Sequence, residues 1–166
     1  ASGLNANIVL NGVVDGGGHP AVVGYVNAGG SITNGNTNQN FINFDSLILG
    51  AVNGIGSSGS PIMTEVLNLA AVNTATGGIF VTEDGGTGLV INEIEGFGAT
   101  GSQVTVTGVT NSGDANVVVQ ANTPLTVSAD VTDNAGNDIT LTANGVTVVD
   151  DLSINADVTA TGDNGN

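Results

Sequence analysis

The sequence predicts an all-β fold, a parallel β-solenoid (β-helix), with an antiparallel β-sandwich as the alternative that short, closely spaced strands also fit. Three observations carry this. Gly and Asn recur every few residues, and 27 of the 166 residues are Gly, so no window sustains the i, i+3, i+4 apolar stripe of a helix. Short β-branched runs with period-two alternation lie between Asn/Gly/Asp turn clusters. Finally, the strands repeat: Leu125-Thr-Val-Ser-Ala-Asp-Val-Thr returns 27 residues later as Leu152-Ser-Ile-Asn-Ala-Asp-Val-Thr.

A second pair of copies has the same character. Val117-Val-Val-Gln-Ala-Asn is echoed by Ile139-Thr-Leu-Thr-Ala-Asn, and each follows an Asn/Gly/Asp turn. A fainter copy of the Leu125 repeat is read at Val104-Thr-Val-Thr-Gly-Val-Thr. Similar strands joined by turns of varying length suit a solenoid, in which a coil buries its aliphatic residues only by stacking on its neighbours. About 20 residues per coil are expected. The chain reads as one domain, 1–166, with less regular coils over 1–53 and regular repeats over 54–166. The polar Gly/Asn/Thr stretch Gly29–Asn40 is expected to project as a loop.

The segment from Gly54-Ile-Gly-Ser-Ser-Gly-Ser-Pro-Ile-Met-Thr-Glu-Val-Leu-Asn-Leu-Ala-Ala through Gly77-Gly-Ile-Phe-Val-Thr and Gly88-Leu-Val-Ile resembles a module of giant bacterial β-strand-repeat proteins of the filamentous-haemagglutinin-like type. The Ile139 and Leu152 repeats look like the same group. The resemblance implies secretion, a right-handed parallel β-helix and an adhesive or matrix role. It implies no catalytic residues. A chain without a single Lys or Arg is a more extreme composition than that family leads one to expect.

Composition excludes much. Fifteen Asp and Glu stand against no Lys and no Arg, a formal charge of −15. Phosphate backbones, nucleotides and anionic lipid surfaces are held chiefly by basic side chains, so nucleic-acid and peripheral-membrane roles are not expected. No apolar run approaches a membrane span, so membrane insertion is not expected either. The absence of Cys removes disulfides, thiolate metal sites and thiol catalysis. With 40 % hydrophobic residues, few aromatics and abundant Val, Ile and Thr, the core must be aliphatic. The chain opens Ala1-Ser2 without Met and is read as a mature or excised segment of a secreted or cell-surface protein.

Few residues suggest chemistry. The oxygen-rich turns Asp133-Asn-Ala-Gly-Asn-Asp138 and Asp163-Asn-Gly-Asn166 make Asp133, Asp138 and Asp163 the candidate metal ligands, with Ca²⁺ the ion that such hard oxygen donors take. The competing reading is that Asp, Asn and Gly are simply good turn residues. No other cofactor is expected. Asp130 and Asp157 occupy equivalent repeat positions, and paired carboxylates serve glycoside hydrolysis. With no Trp, one Tyr and four Phe, almost no aromatic platform is present to hold a sugar. His19, the only His, has no motif partner and reads as a loop residue, and the uneven spacing of the Thr-x-Thr pairs argues against an ice-binding ladder.

A non-enzymatic function is therefore expected: an extracellular structural protein, the repeat unit or subunit of a fibre, matrix or surface stalk assembling head to tail with its own kind. The alternative is an adhesin or glycan-binding module of a large surface protein. One test concerns charge. With fifteen carboxylates and no cationic side chain beyond His19, added salt, Ca²⁺ or a shift to about pH 4.5 should raise the melting temperature by relieving repulsion. A melting temperature indifferent to all three would show that repulsion between the carboxylates has little effect on stability.

Overall fold

The computed structural model describes residues 5–16, 22–35, 40–85, 87–98, 100–145 and 151–162. They form an all-β parallel solenoid of six coils, with no helix among the described residues. The first coil contains β1 (Ile8–Leu10), β2 (Val14–Asp15) and β3 (Val23–Ala28). The second contains β4 (Ile32–Asn34) and the long β5 (Asn40–Ala51), and the third contains Ile55 and β6 (Ile62–Asn73). Coil four has β7 (Ile79–Glu83) and β8 (Leu89–Ile91), then an inserted hairpin of β9 (Glu93–Phe97) and β10 (Gln103–Thr107), and closes with β11 (Val109–Asn111). Coil five is β12 (Val117–Ala121), β13 (Leu125–Val127) and β14 (Val131–Asp133). Coil six is β15 (Ile139–Ala143), β16 (Leu152–Ile154) and β17 (Val158–Ala160).

The strands stack in three columns, all in parallel register. In the first, Ile8, Ile32, Ile55, Ile79, Val117 and Ile139 lie one above another. In the second, the series is Gly24, Leu47, Leu69, Ile91, Val127 and Ile154. The third runs Val26, Leu49, Ala71, Val109, Val131 and Val158. A strand alternates its side chains, so fixing one inward position fixes the rest. The result is a continuous aliphatic core: Ile32, Leu47, Leu49, Ile55, Ile62, Leu69, Ile79, Ile91, Leu125 and Val131 are fully buried. Each such side chain contributes about 1.5–3 kcal/mol relative to exposure.

The repeats read from the sequence stand in true register. Leu125 pairs with Leu152, Val131 with Val158, and Val117 through Ala121 with Ile139 through Ala143. Parallel pairing sets the β-sandwich aside. Three details differ from expectation. Successive coils are 22 to 24 residues long where turns are tight, as from Ile8 to Ile32 or Val109 to Val131, which exceeds the expected 20. The stretch 29–40 contains β4, whose Ile32 sits in the core, in place of the expected projecting loop; residues 36–39 lie outside the described set. Only the tail of the Val104 copy is in register, Val109 opposite Val131, because Val104–Thr107 belongs to the hairpin and pairs antiparallel with β9. The true counterpart of Leu125 in coil four is Leu89.

The hairpin crosses the coils on their outer side. Ile94 packs on Ile48 and Ala70, with Tyr25 and Val106 closing a second small core. Further along, Gly96 lies where a Cβ would come within 3.2 Å of both Ile48 and Val23, so a side chain there would lift the strand off. The hairpin thus runs from coil four toward coil one. Gly108, at φ +66° and tight against the backbone of Asp130, returns the chain to its column, a conformation and a space that suit only glycine.

Candidate functional site

The buried polar side chains are the natural place to look for chemistry, because each must be satisfied or do something. Among the described residues they are Thr64, Asn73, Glu83, Asn111 and Asp133. Three of them form a ladder at one corner of the third column, where Asn73, Asn111 and Asp133 occupy the same position in coils three, four and five. Asn73 donates from Nδ2 to Asn111 Oδ1 at 2.8 Å, and Asn111 donates from Nδ2 to Asp133 Oδ2 at 2.8 Å. Each also closes the turn that follows it. Asn73 Nδ2 reaches the carbonyls of Thr76 and Gly77, and Asn111 Nδ2 reaches those of Gly113 and Ala115. Asp133 Oδ1 accepts the N–H groups of Ala135 and Asn137 at 2.9 and 3.1 Å. Asn73 Oδ1 accepts the N–H of Gly54 from the coil below.

This geometry places the candidate metal ligands. Both carboxyl oxygens of Asp133 point inward and take N–H donors, so the turn expected to hold calcium is closed by hydrogen bonds to its own carboxylate. Asp138 is exposed, and its backbone joins coils five and six by accepting the N–H of Val117 and donating to Asn116 Oδ1. The two side chains do not converge. Asp163 and His19 lie outside the described residues. No group of three or more His, Cys, Asp or Glu suited to a metal occurs among the described residues. Asp130 and Asp157 sit on adjacent coils, and Asp130 Oδ1 accepts the backbone N–H of Asp157 at 3.1 Å. The Thr-x-Thr pairs are scattered over a turn, the hairpin, β15 and the end of β17.

The ladder is legible in the sequence only as a weak signal. Ala71-Val-Asn73, Val109-Thr-Asn111 and Val131-Thr-Asp133 each end a strand on an amide or acid, but uneven spacing hides the alignment. Replacing Asn111 by Leu keeps the branched shape, with larger methyl groups in place of the amide atoms, and removes the side chain's donors and acceptor at once. It leaves Asp133 Oδ2 and the Ala115 carbonyl unpaired, and the expected loss is roughly 3 kcal/mol in chemical denaturation. A loss below about 1 kcal/mol would mean that the ladder is incidental to stability.

Glu83 is the other buried acid. It ends β7 with its side chain turned inward, after Ile79 and Val81, in register with Thr64 below and Ala121 above. Its pKa is raised to about 7: burial drives it up, the Gly85 N–H hydrogen bond works against that, and the negative charges of Glu65 and Asp84 add to the rise. The N–H of Gly85 lies 3.2 and 3.3 Å from the two oxygens. Because the folded pKa lies above the ordinary 4.5, the folded chain holds a proton that the unfolded chain releases. The associated stability is fully present below about pH 4.5 and is lost as pH rises through about 7. Glu83→Gln keeps the shape and an acceptor for Gly85. Melting curves across this window should show the variant gaining on the parent by on the order of 2 kcal/mol between pH 4.5 and pH 8. A gap that does not change with pH would show that Glu83 does not titrate in this range.

Among the described residues, the outer surface includes two shallow grooves whose linings hold no titratable residue. One of about 170 Å³ lies between the Ser57–Pro61 turn and the outward side chains of Phe80, Thr82, Val118 and Gln120. The other, about 400 Å³, is lined by Leu67, Asn68, Thr87, Val90, Pro124 and Thr126 among others. Neither offers an acid or base to a reacting group.

The ends of the stack carry the remaining exceptional residues. Leu152, Ile154 and Val158 are 42 %, 51 % and 37 % exposed, although their register partners Leu125, Val127 and Val131 are fully buried. They occupy inward positions of coil six, the last coil among the described residues. At the other end Ile8, Leu10 and Val26 are likewise only partly covered. Comparison with family models, curated proteins and solved structures finds no match.

Proposed function

We propose that this chain is an extracellular structural protein, a rod segment serving as a repeat unit or subunit of a fibre, matrix or surface stalk. One observation supports this above the others: the buried polar groups of the ladder are consumed in joining coil to coil. Asn73, Asn111 and Asp133 bond to one another and to their own turns, and the core is a column of stacked aliphatics. Six coils at about 4.8 Å give a rod segment about 29 Å long. The resemblance to filamentous-haemagglutinin-like repeats suits a secreted, surface-exposed location.

A second reading, a glycan-binding module, is favoured by the groove in which Phe80 is flanked by Ser57, Ser58 and Gln120. An aromatic face among hydroxyls and an amide is a chemistry that neutral sugars use. At about 170 Å³ it falls below the usual size of a ligand pocket. Immunogold electron microscopy of the native source separates the readings. Labelled filaments or stalks are expected outside the cell, together with a blank glycan array. Labelling confined to the cell interior would overturn the structural reading, as would glycan capture abolished by Phe80→Ala.

A further inference from the structure

We propose that the free edge of β9, in the hairpin inserted into coil four, is a docking site for an extended, Lys- or Arg-bearing segment of a different polypeptide, which adds to the hairpin antiparallel as a third strand. The inference is independent of the structural reading, because it concerns a surface that the stacked columns do not use.

Backbone geometry gives the first argument. Coil five passes from β13 to β14 through Ser128, Ala129 and Asp130 alone, whereas coil four places the whole hairpin between β8 and β11 and keeps the register, so the columns do not require it. The hairpin is closed by bonds from the Gly98 N–H to the Ser102 carbonyl and from the Gly108 N–H to the Asn92 carbonyl. Bonded and non-bonded positions alternate in an antiparallel pair, so Ile94 with Val106 and Gly96 with Val104 are the bonded pairs between them. The N–H and C=O groups of Glu93, Glu95 and Phe97 therefore point away from β10. Asn92 Oδ1 takes the Glu93 N–H at 2.9 Å. The N–H groups of Glu95 and Phe97 and the carbonyls of Glu93 and Glu95 meet no partner among the described residues, and the hairpin stands as a two-stranded sheet of its own. Such an edge takes an extended segment through main-chain hydrogen bonds.

Side chains give the second argument and identify the partner. Ile94 and Gly96 face the coils, so Glu93, Glu95 and Phe97 share the outer face, where Phe97 is 74 % exposed. Thr107 Oγ1 donates to Glu93 Oε2 at 2.8 Å and Gln103 Nε2 to Glu95 Oε2 at 3.1 Å. These bonds hold both carboxylates on the face and leave Oε1 of each without a donor among the described residues. The sequence has no Lys or Arg to supply one, and a second copy would set glutamate against glutamate, so complementarity calls for a different, basic chain. A strand added at this edge sets alternate side chains opposite Phe97, Glu95 and Glu93, on the same face. Read from its N-terminus, the matching segment runs apolar, any residue, basic, any residue, basic. The outer edge of β10 has the same backbone pattern, but Gln103, Thr105 and Thr107 give it no charge, so β9 is the edge that selects.

The test titrates the full chain at low salt with the capped peptide Thr-Val-Thr-Lys-Thr-Lys-Thr, followed by fluorescence anisotropy and by hydrogen exchange of single amides in NMR. The parent should bind it, and the amides of Glu95 and Phe97 should exchange more slowly while that of Thr105 is unchanged. The same peptide N-methylated at its valine and both lysines keeps its charge but cannot bond to the edge, and its binding should be lost. Glu93→Gln with Glu95→Gln keeps an acceptor for Thr107 and Gln103; it should leave the melting temperature in place and weaken binding about tenfold. Absence of binding by the parent overturns the docking. Equal binding of the N-methylated peptide does so too, since it reduces the effect to attraction by an acidic surface, as does slowed exchange at Thr105 in place of Glu95 and Phe97. A double variant that binds like the parent overturns the choice of a basic partner. One that self-associates while the parent ignores the peptide shows that the two glutamates guard the edge, and that outcome also overturns the proposal.

Discussion

The constraint on which everything else depends is in-register parallel stacking. Each inward position of a coil lies directly on the same position of the next, so a column tolerates only residues that pack on their own kind. Isoleucine on isoleucine from Ile8 to Ile79 and β-branched valine from Val109 to Val158 satisfy this, because a branched side chain restricted at χ1 presents the same shape to the coil above and the coil below. Turn length is free by comparison. The connection from β15 to β16 is five residues longer than that from β12 to β13, so the step is 22 residues from Val117 to Ile139 but 27 from Leu125 to Leu152, and a whole hairpin enters coil four, without disturbing a column. The hairpin repays its insertion by covering Tyr25, Ile48 and Ala70, outward residues too apolar for open solvent.

The same constraint governs the polar interior. A lone buried amide has four hydrogen-bonding valences to fill, and a single turn fills only some of them. Stacking supplies the remainder from the adjacent coil, so Asn73 and Asn111 are each satisfied partly by their own turn and partly by the next ladder member. Glu83 shows what happens when an inward acid lacks such a neighbour. With Thr64 below and Ala121 above, it relies on the N–H of Gly85 and on holding its proton.

How much of this is legible in the sequence follows from the same physics. The register of coils five and six is readable because their strands have equal length and similar residues, so Leu125 and Leu152 announce each other. Val104-Thr-Val-Thr misleads because a strand of an antiparallel hairpin and a strand of a coil alternate alike, and only the pairing partner tells them apart. The polar stretch 29–40 hides a three-residue strand whose single core side chain, Ile32, is too little signal to outweigh the surrounding Gly and Asn. Asp133 admits two readings from the sequence, because oxygen-rich turns that bind cations and turns closed by an inward carboxylate use the same residues. Which way the side chain points is a tertiary fact. Glu83 is not legible as a buried group, since Ile79-Phe-Val-Thr-Glu reads equally well with its acid at a strand end in water.

The ladder's direction explains why its last member is an acid. Each asparagine donates to the next coil, so a donor always arrives from below and the final group must accept without needing to pass a proton onward. A carboxylate does this with both oxygens, one taking Asn111 Nδ2 and the other the N–H groups of its own turn. An asparagine at 133 would aim Nδ2 at one of these donors whichever way it turned. Beyond it the column ends on Ala160, and below it begins with Ala28 and Ala51. Confined to coils three to five, the ladder fastens the middle of the described rod.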